Sequence, residues 1–182
     1  YKFVAKMLSG RQRVLEVGCG DAFNAPIVLQ EVAHLTVTDF DPHFIDDAMS
    51  RLQPEYPYEA HVHNFVDGPL TPSLGRFDAT YSLDVLEHIP AADERLFLRN
   101  ILRSLAPHGV MIIGMPSLES QAYASEGSKL GHVNCKTAPD LKVLLEEFFH
   151  TVFMFSMNDE LVHTGYHKMA HYSLAVCADP RR

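Results

Sequence analysis

The sequence predicts an α/β fold in which helices cover both faces of a mostly parallel β-sheet. Short apolar runs that suit buried strands alternate with stretches of helical periodicity along the chain. The first run, residues 14–17, breaks at once into the glycine turn Gly18-Cys19-Gly20, and a helical stretch follows. The second run ends in Asp39, roughly 20 residues past the glycines, where open α/β sheets place a carboxylate on a ribose.

The other elements follow from the same periodicities. Predicted strands cover about residues 14–17, 34–38, 58–65, 77–83, 110–115, 151–157 and 171–177. Predicted helices cover about residues 24–32, 42–53 and 92–105, and a fourth begins at the capping-box pattern Thr137-x-x-Asp140. Residues 67–75 form a predicted loop, and residues 116–136 form a polar segment long enough to be a functional loop or lid.

Length and composition limit the possible functions. With 182 residues the expectation is a single domain over residues 1–182, and the absence of a methionine before Tyr1 leaves a missing N-terminal segment open. A net charge of −8 without a Lys/Arg cluster argues against nucleic acid or an anionic membrane as partner. No apolar run approaches the ~18 residues of a membrane span. The three cysteines, Cys19, Cys135 and Cys177, lack disulfide or metal spacing, which predicts reduced thiols in a cytoplasmic protein.

The glycine turn departs from that of a dinucleotide dehydrogenase. Phe23 stands where G-x-G-x-x-G has its third glycine, and Ala22 supplies a small residue one step earlier. Glu16 lies two residues before the first glycine. A carboxylate there would suit a cationic or hydroxyl-bearing ligand better than a phosphate.

The segment Glu16-Val17-Gly18-Cys19-Gly20 resembles the first motif of class I S-adenosylmethionine (SAM) dependent methyltransferases. The resemblance covers nearly the whole chain, from Arg13 to Ala178, in the family's order. It implies a Rossmann-like sheet of seven strands with the last strand antiparallel, and SAM as the cofactor. The sequence Ser-Leu-Asp-Val-Leu-Glu-His-Ile at residues 82–89 resembles the fourth motif of the branch containing the quinone-biosynthesis O-methyltransferases.

The resemblance also implies which residues contact the cofactor. Asp39 would hold both ribose hydroxyls, and its alternative role is the N-cap of the next helix. Phe40, Asn64 and Phe65 would lie near the adenine, although Phe40 could equally belong to the core and Asn64 could cap a loop. The predicted set is Glu16, Gly18, Cys19, Gly20, Asp39, Phe40, Asn64, Phe65 and Ser82.

The acceptor side of the predicted site depends on Asp84, Glu87 and His88, which share one face of a helical turn because they lie at i, i+3 and i+4. Three interpretations stay open. The residues make local caps and contacts, or His88, joined by His132 from the long loop, removes a proton from an acceptor hydroxyl. In the third, Asp84, Glu87, His88 and His132 hold a divalent cation, as similar sets do in some relatives, and the cation lowers the pKa of that hydroxyl.

The predicted function is therefore SAM-dependent methyl transfer to a small-molecule acceptor, with a hydroxyl oxygen as the expected acceptor atom. His163, Tyr166 and His167 would form the far wall of the acceptor pocket. The alternatives are a metal-dependent O-methyltransferase and a methyltransferase-like subunit that binds SAM without catalysis. A nicotinamide-dependent enzyme would share the sheet and Asp39, but Phe23 argues against it. The sequence leaves the acceptor and the oligomeric state open.

Overall fold

One sheet of eight strands organises the chain. The structure is a computed structural model that describes residues 1–70 and 74–181. The strands are β1 (Arg13–Val17), β2 (His34–Asp39), β3 (Glu59–Val62), β4 (Phe77–Leu83), β5 (Leu105–Pro116), β6 (Phe149–Asn158), β7 (Leu161–His163) and β8 (Tyr172–Pro180). Part of the predicted loop 67–75, namely residues 71–73, lies outside the described residues.

The strand order is β3-β2-β1-β4-β5-β8-β6-β7. Strands β1 to β5 pair in parallel, whereas β8 is antiparallel to both of its neighbours, β5 and β6, and β7 is antiparallel to β6. The predicted mostly parallel sheet with an antiparallel last strand is confirmed. The predicted count of seven strands is one too low, because the short strand β7 folds back on β6 as a hairpin.

Helices cover both faces of this sheet, as predicted. They are α1 (Lys2–Met7), α2 (Ala25–Leu29), α3 (Pro42–Ser50), α4 (Glu94–Ser104), α5 (Glu126–Gly131) and α6 (Ala138–Glu146). Helices α1 to α3 pack with Val14 and Tyr81 on one face, and α4 and α6 pack with Leu15 and Val17 on the other. The two faces of β1 are thus both buried, as expected for a central parallel strand.

Local sequence signals explain where two of the helices begin. The side chain of Asp41 accepts a hydrogen bond from the His43 amide at 2.9 Å, and Pro42 occupies the first turn of α3. The Thr137 hydroxyl accepts from the Asp140 amide at 3.2 Å, which confirms the predicted capping box at the start of α6.

Several other elements differ from the prediction, among them α2 (Ala25–Leu29), which is shorter than predicted, and β5 (Leu105–Pro116), which is longer. Helix α1 was not predicted because its six residues are too few to show a clear apolar period. Strand β3 spans only Glu59–Val62 instead of residues 58–65, since its pairing with β2 ends where β2 ends. The loop at residues 116–136 contains α5 and a 3-10 helix, Glu119–Tyr123. No helix within residues 1–70 and 74–181 has the length and apolar character to cross a bilayer.

Candidate functional site

The glycine turn after β1 is held tightly on one side and open on the other. Gly18 and Gly20 have φ angles of +77° and +53°, which side chains disfavour. A Cβ on Gly18 would lie 2.2 Å from Cγ2 of Val85, whereas a Cβ on Gly20 would meet no atom within 4 Å. The amides of Gly18 and Cys19 donate to the Thr38 carbonyl at 2.8 and 3.0 Å. The turn therefore packs against β2 and the segment after β4, and Gly20 faces free space.

Asp39 links this turn to the end of β2. Its Oδ2 accepts from the Gly20 amide and its Oδ1 from the Asp41 amide, both at 3.0 Å. Each carboxylate oxygen keeps a further lone pair that can accept from a ligand hydroxyl. The alternative role of Asp39 as a helix N-cap is wrong, because Asp41 caps α3.

The residues predicted to lie near an adenine have different environments. Phe40 is 69% exposed, so it does not belong to the core and is free to contact a ligand. Asn64 caps its loop by accepting from the Val66 amide at 3.0 Å, which leaves its NH₂ group available to donate. Phe65 is 2% exposed and packs edge-on against Phe97, so its predicted side-chain contact with the cofactor is not supported by its position.

The side chain of Ser82, which was predicted to contact the cofactor, instead lies buried between β4 and β1. It is 1% exposed, and its hydroxyl donates to the Val17 carbonyl at 3.0 Å. The Thr80 hydroxyl makes the same kind of bond to the Leu15 carbonyl at 3.1 Å. These two hydroxyls join β4 to β1, and the Ser82 side chain is not available to a ligand.

Glu16 lies beneath the turn, enclosed by two tyrosines. The hydroxyls of Tyr1 and Tyr81 donate to Oε1 and Oε2 of Glu16, each at 2.8 Å. Burial raises the pKa of Glu16 to about 7, and the two tyrosine hydrogen bonds oppose that rise. Because both oxygens are engaged within the protein, Glu16 supports the turn from below and ties α1 to the sheet. Cys19 is also buried, and its thiol donates to the Gly20 carbonyl at 3.2 Å.

The segment after β4 carries the acceptor-side candidates. Asp84 has a φ angle of +57°, an unfavourable value for a residue with a side chain, and it lies at the carboxyl end of β4 beside the glycine turn. Burial raises the pKa of Asp84. The hydrogen bond from the Tyr172 hydroxyl opposes this rise because it stabilises the carboxylate. Residues Leu86–His88 then form a 3-10 turn.

The two candidate histidines have defined tautomers. Nδ1 of His88 lies 2.9 Å from the Gly131 carbonyl, which only accepts, so Nδ1 carries the proton and Nε2 is free. Nδ1 of His132 lies 2.8 Å from Oε1 of Gln121, which leaves its Nε2 free in the same way. The ring centroids are 5.2 Å apart. Burial, followed by repulsion from a protonated His88, lowers the pKa of His132, so the His132 ring can act as a base near neutral pH.

The carboxylate of Glu87 lies next to these rings. It is fully buried, and neither of its carboxylate oxygens is hydrogen-bonded within the described part of the chain. Burial raises its pKa to about 8. Glu87, His88 and His132 can each present one ligand atom such that all three lie within 4.8 Å of one another. Asp84, the fourth predicted metal ligand, does not belong to this group.

A cavity of about 480 Å³ opens beside Asp84, on the face of the sheet that carries α1 and α2. Its walls combine apolar side chains with polar groups: Phe3, Ile27, Leu83, Met157, Val162, Leu174, Asp84, Asp159, Glu160 and Tyr172. The predicted wall residues His163, Tyr166 and His167 do not line it. His163 instead bonds to Asn158 and to the Gly165 amide within its own hairpin, each at 2.9 Å.

Sequence reasoning missed the partners that hold the site together. These are Tyr1, Tyr81, Gln121 and Tyr172. Tyr81 lies directly opposite Glu16 in the β1–β4 register, so correct strand alignment would have revealed it. Gln121 and Tyr172 had no such signal, because their contacts depend on how the long loop and β8 fold over the cleft.

Comparison with known proteins identifies similar chains. Residues 15–111, more than half of the chain, match the family described as "Methyltransferase domain". The ubiquinone biosynthesis O-methyltransferase of Xylella fastidiosa (strain 9a5c) is 30% identical over 125 residues, which cover 59% of this chain and 48% of that protein. The chain thus matches about half the length of this relative.

Two solved structures share the fold. A putative methyltransferase of Haloferax volcanii, in complex with the Trm112 methyltransferase activator, has a TM-score of 0.80 at 15% identity, covering 99% of this chain and 88% of that one. The N-methyltransferase NodS of Bradyrhizobium japonicum, in complex with S-adenosyl-l-homocysteine, has a TM-score of 0.69 at 18% identity, covering 98% and 83%. At these identities the similarity concerns the fold alone.

Proposed function

This chain belongs to the class I SAM-dependent methyltransferases, and we propose that it transfers the methyl group of SAM to a hydroxyl oxygen of a small molecule. The observation that carries the oxygen acceptor is the pair of free Nε2 atoms on His88 and His132 near Asp84. A hydroxyl must lose a proton when it is methylated, and a neutral imidazole with a free nitrogen can take that proton. The O-methyltransferase from Xylella fastidiosa is consistent with this choice.

The donor would bind across the carboxyl ends of β1, β2 and β4. The open side of the turn at Gly20 admits the methionine portion of SAM, and Asp39 accepts from the two ribose hydroxyls. Phe40, exposed beside Asp39, can pack against the adenine, and the NH₂ group of Asn64 can donate to it. The complex of NodS with S-adenosyl-l-homocysteine supports a nucleoside of this kind on this fold.

The reaction itself needs alignment and one base. The acceptor oxygen attacks the methyl carbon in line with the carbon–sulfur bond, which breaks and leaves S-adenosylhomocysteine, while the hydroxyl proton passes to Nε2 of a histidine. The sulfonium is already a reactive electrophile, so the cleft mainly has to bring the two reactants together. The acceptor would bind in the cavity beside Asp84.

A tritiated-methyl assay over phenols, sugars and amines tests this proposal. We expect an O-methylated product, and we expect His88→Gln or His132→Gln to lower turnover by about 100-fold while S-adenosylhomocysteine affinity stays within about twofold. His150→Gln, which changes an exposed histidine on β6, is the control and should retain full activity. An N-methylated product, or full turnover in both histidine variants, would contradict the assignment.

A divalent cation is a second candidate component, favoured by the two carboxylate oxygens of Glu87, which have no hydrogen-bond partner among the described residues. One carboxylate and two imidazoles make a mixed O/N ligand set of the kind that Mn²⁺, Fe²⁺ or Zn²⁺ accepts. The Nδ1 bonds of both histidines would orient the Nε2 atoms as ligands, as in established metal sites. Such a cation would act as a Lewis acid beside the acceptor.

Metal binding can be measured without turnover. Protein dialysed against EDTA would be titrated with Mn²⁺ and the free ion followed by electron paramagnetic resonance. One equivalent should bind, and Glu87→Gln should weaken binding at least about tenfold. If Glu87→Gln binds Mn²⁺ as tightly as the wild type, these three residues do not form the site.

A further inference from the structure

Folding creates a basic cavity that is not apparent in the linear sequence. A cavity of about 500 Å³ is lined by Arg76, Arg99, Arg103 and Arg181. The sequence shows no run of basic residues, and the chain carries a net charge of −8 with 15 Lys and Arg in total. Four of these 15 nevertheless converge at one place, which is unexpected for a uniformly solvated acidic surface.

The cavity lies at the edge of the sheet opposite the glycine turn. Arg76 immediately precedes β4, Arg181 follows the end of β8, and Leu105 at the start of β5 forms part of the wall. In a parallel sheet these amino ends are separated from the carboxyl edge by the length of the strands. A ligand here would not compete with the donor or the acceptor.

None of the four arginines is paired with a carboxylate within residues 1–70 and 74–181. Arg99 and Arg103 lie four residues apart on α4, where like charges destabilise a helix, and neither forms an ion pair within the described part of the chain. Among the described residues, Glu147 is the only acidic residue that lines the cavity, and it is paired with Arg95, which donates to both of its carboxylate oxygens at 2.9 and 2.7 Å. The positive charge in the cavity is therefore not neutralised by the protein.

The other two arginines are held in place by backbone carbonyls. Arg76 donates to the Leu105 carbonyl at 3.1 Å, and Nε of Arg181 donates to the Glu146 and Phe149 carbonyls at 2.9 and 3.2 Å. These bonds use part of each guanidinium and leave other N–H groups to donate. The remaining walls are mainly apolar, with Leu102, Leu105, Phe148 and Pro180, and low-dielectric walls strengthen the field of the arginines.

We infer that this cavity is a binding site for a compact ligand bearing at least two phosphate groups, separate from the methyl-transfer site. One guanidinium group can donate two parallel hydrogen bonds to the oxygens of a phosphate. Four guanidinium groups therefore suit a ligand with two phosphates better than a ligand with a single carboxylate. The volume lies within the range of ligand pockets, about 300–1,000 Å³, and the apolar wall leaves room for an organic group attached to the phosphates.

Calorimetric titration of the whole chain with pyrophosphate tests this inference, with inorganic phosphate at equal ionic strength as the comparison. Pyrophosphate should bind at least about tenfold more tightly than phosphate. R99Q/R103Q should weaken pyrophosphate binding at least about tenfold. Both substitutions lie at exposed positions of α4, so the variant should fold normally and bind S-adenosylhomocysteine like the wild type.

The control variant R11Q/K168Q removes the same amount of charge at two positions that do not line the cavity, and it should bind pyrophosphate like the wild type. Saturating S-adenosylhomocysteine should leave pyrophosphate binding unchanged. The inference is overturned if pyrophosphate does not bind, or if the control variant loses as much affinity as R99Q/R103Q. It is equally overturned if a single-stranded RNA oligonucleotide binds while pyrophosphate does not, since that would indicate a surface for an extended polyanion.

Discussion

The carboxyl group of Glu16 should make the stability of this protein decrease as the pH rises from about 4.5 to about 7. Its pKa is about 7 in the folded chain, against an ordinary value of 4.5, because the group is buried beneath the glycine turn. The folded state therefore holds the proton more tightly than the unfolded state. The resulting stabilisation is complete below about pH 4.5 and is lost as the pH rises to about 7.

The size of this effect follows from the two pKa values. A difference of one pKa unit corresponds to about 1.4 kcal/mol, so Glu16 alone should remove about 3 kcal/mol between pH 4.5 and 8. The side chain introduced by Glu16→Gln cannot ionise. Its amide oxygen can still accept from one tyrosine hydroxyl, and its NH₂ group can donate to the hydroxyl oxygen of the other tyrosine. The variant should therefore lose the part of the pH dependence that comes from this position.

Urea unfolding at pH 5 and pH 8 measures the difference. Other titrating groups affect the wild type and Glu16→Gln alike, so the change in unfolding free energy between the two pH values should differ between them by about 2 to 3 kcal/mol. Glu31→Gln is the control, because Glu31 pairs with Lys6 at the surface and its pKa is lowered, away from this pH window. If wild type and Glu16→Gln differ by less than about 1 kcal/mol, the acid is not buried as described.

Three further predictions concern the cleft. Asp39→Asn should weaken S-adenosylhomocysteine binding by about 30- to 150-fold in calorimetry, which corresponds to the loss of about 2 to 3 kcal/mol of charge-assisted hydrogen bonds. The control Asp41→Asn still caps α3 and should bind S-adenosylhomocysteine normally. Equal affinities in the two variants would refute the ribose contact. Gly18→Ala should lower the thermal unfolding midpoint more than Gly20→Ala does. Both glycines have positive φ, but only at Gly18 would the added Cβ collide with a side chain, that of Val85. A larger loss in Gly20→Ala would refute this description of the turn. Tyr172→Phe should lower kcat/KM by about tenfold with unchanged S-adenosylhomocysteine affinity, because Tyr172 lines the proposed acceptor cavity and its hydroxyl is a polar contact there. Full activity would show that this wall of the cavity does not hold the acceptor.

The buried parallel strands were the most predictable part of the fold. The observed β1, β2 and β4 match the predicted strands to within one residue, because each is a short segment rich in apolar, β-branched or aromatic residues and is ended by a turn. Strand β7 has only three residues and exists through its hairpin pairing with β6, so no local pattern identifies it. The local sequence predicts a helix or strand only when the element is long enough to show a recurring pattern of apolar residues.

The position of a site residue was easier to predict than the direction of its side chain. Asp39 ends β2 beside the glycine turn, at the place where open α/β sheets have a ligand-binding carboxylate. Its carboxylate accepts hydrogen bonds from the Gly20 and Asp41 amides, which fixes it beside the turn. Ser82 and Phe65 lie close to the same edge in sequence, yet their side chains point into the sheet and the core. Successive residues of a strand face opposite sides, and Phe65 lies beyond the end of β3, so a motif position alone does not give the direction of either side chain.

The same reasoning explains how two acids near one edge of the sheet acquire different roles. Glu16 and Glu87 are both fully enclosed and both have raised pKa values, but Glu16 has a hydrogen-bond donor for each oxygen, whereas Glu87 has none in the described chain. An enclosed carboxylate with two donors can be explained by structure alone, since its bonds join α1 and β4 to β1. A carboxylate enclosed without donors costs stability, and proteins retain that cost where a group must take up a proton or an ion. Glu87, together with the free Nε2 atoms of His88 and His132, is therefore where we expect the chemistry of the acceptor to be controlled.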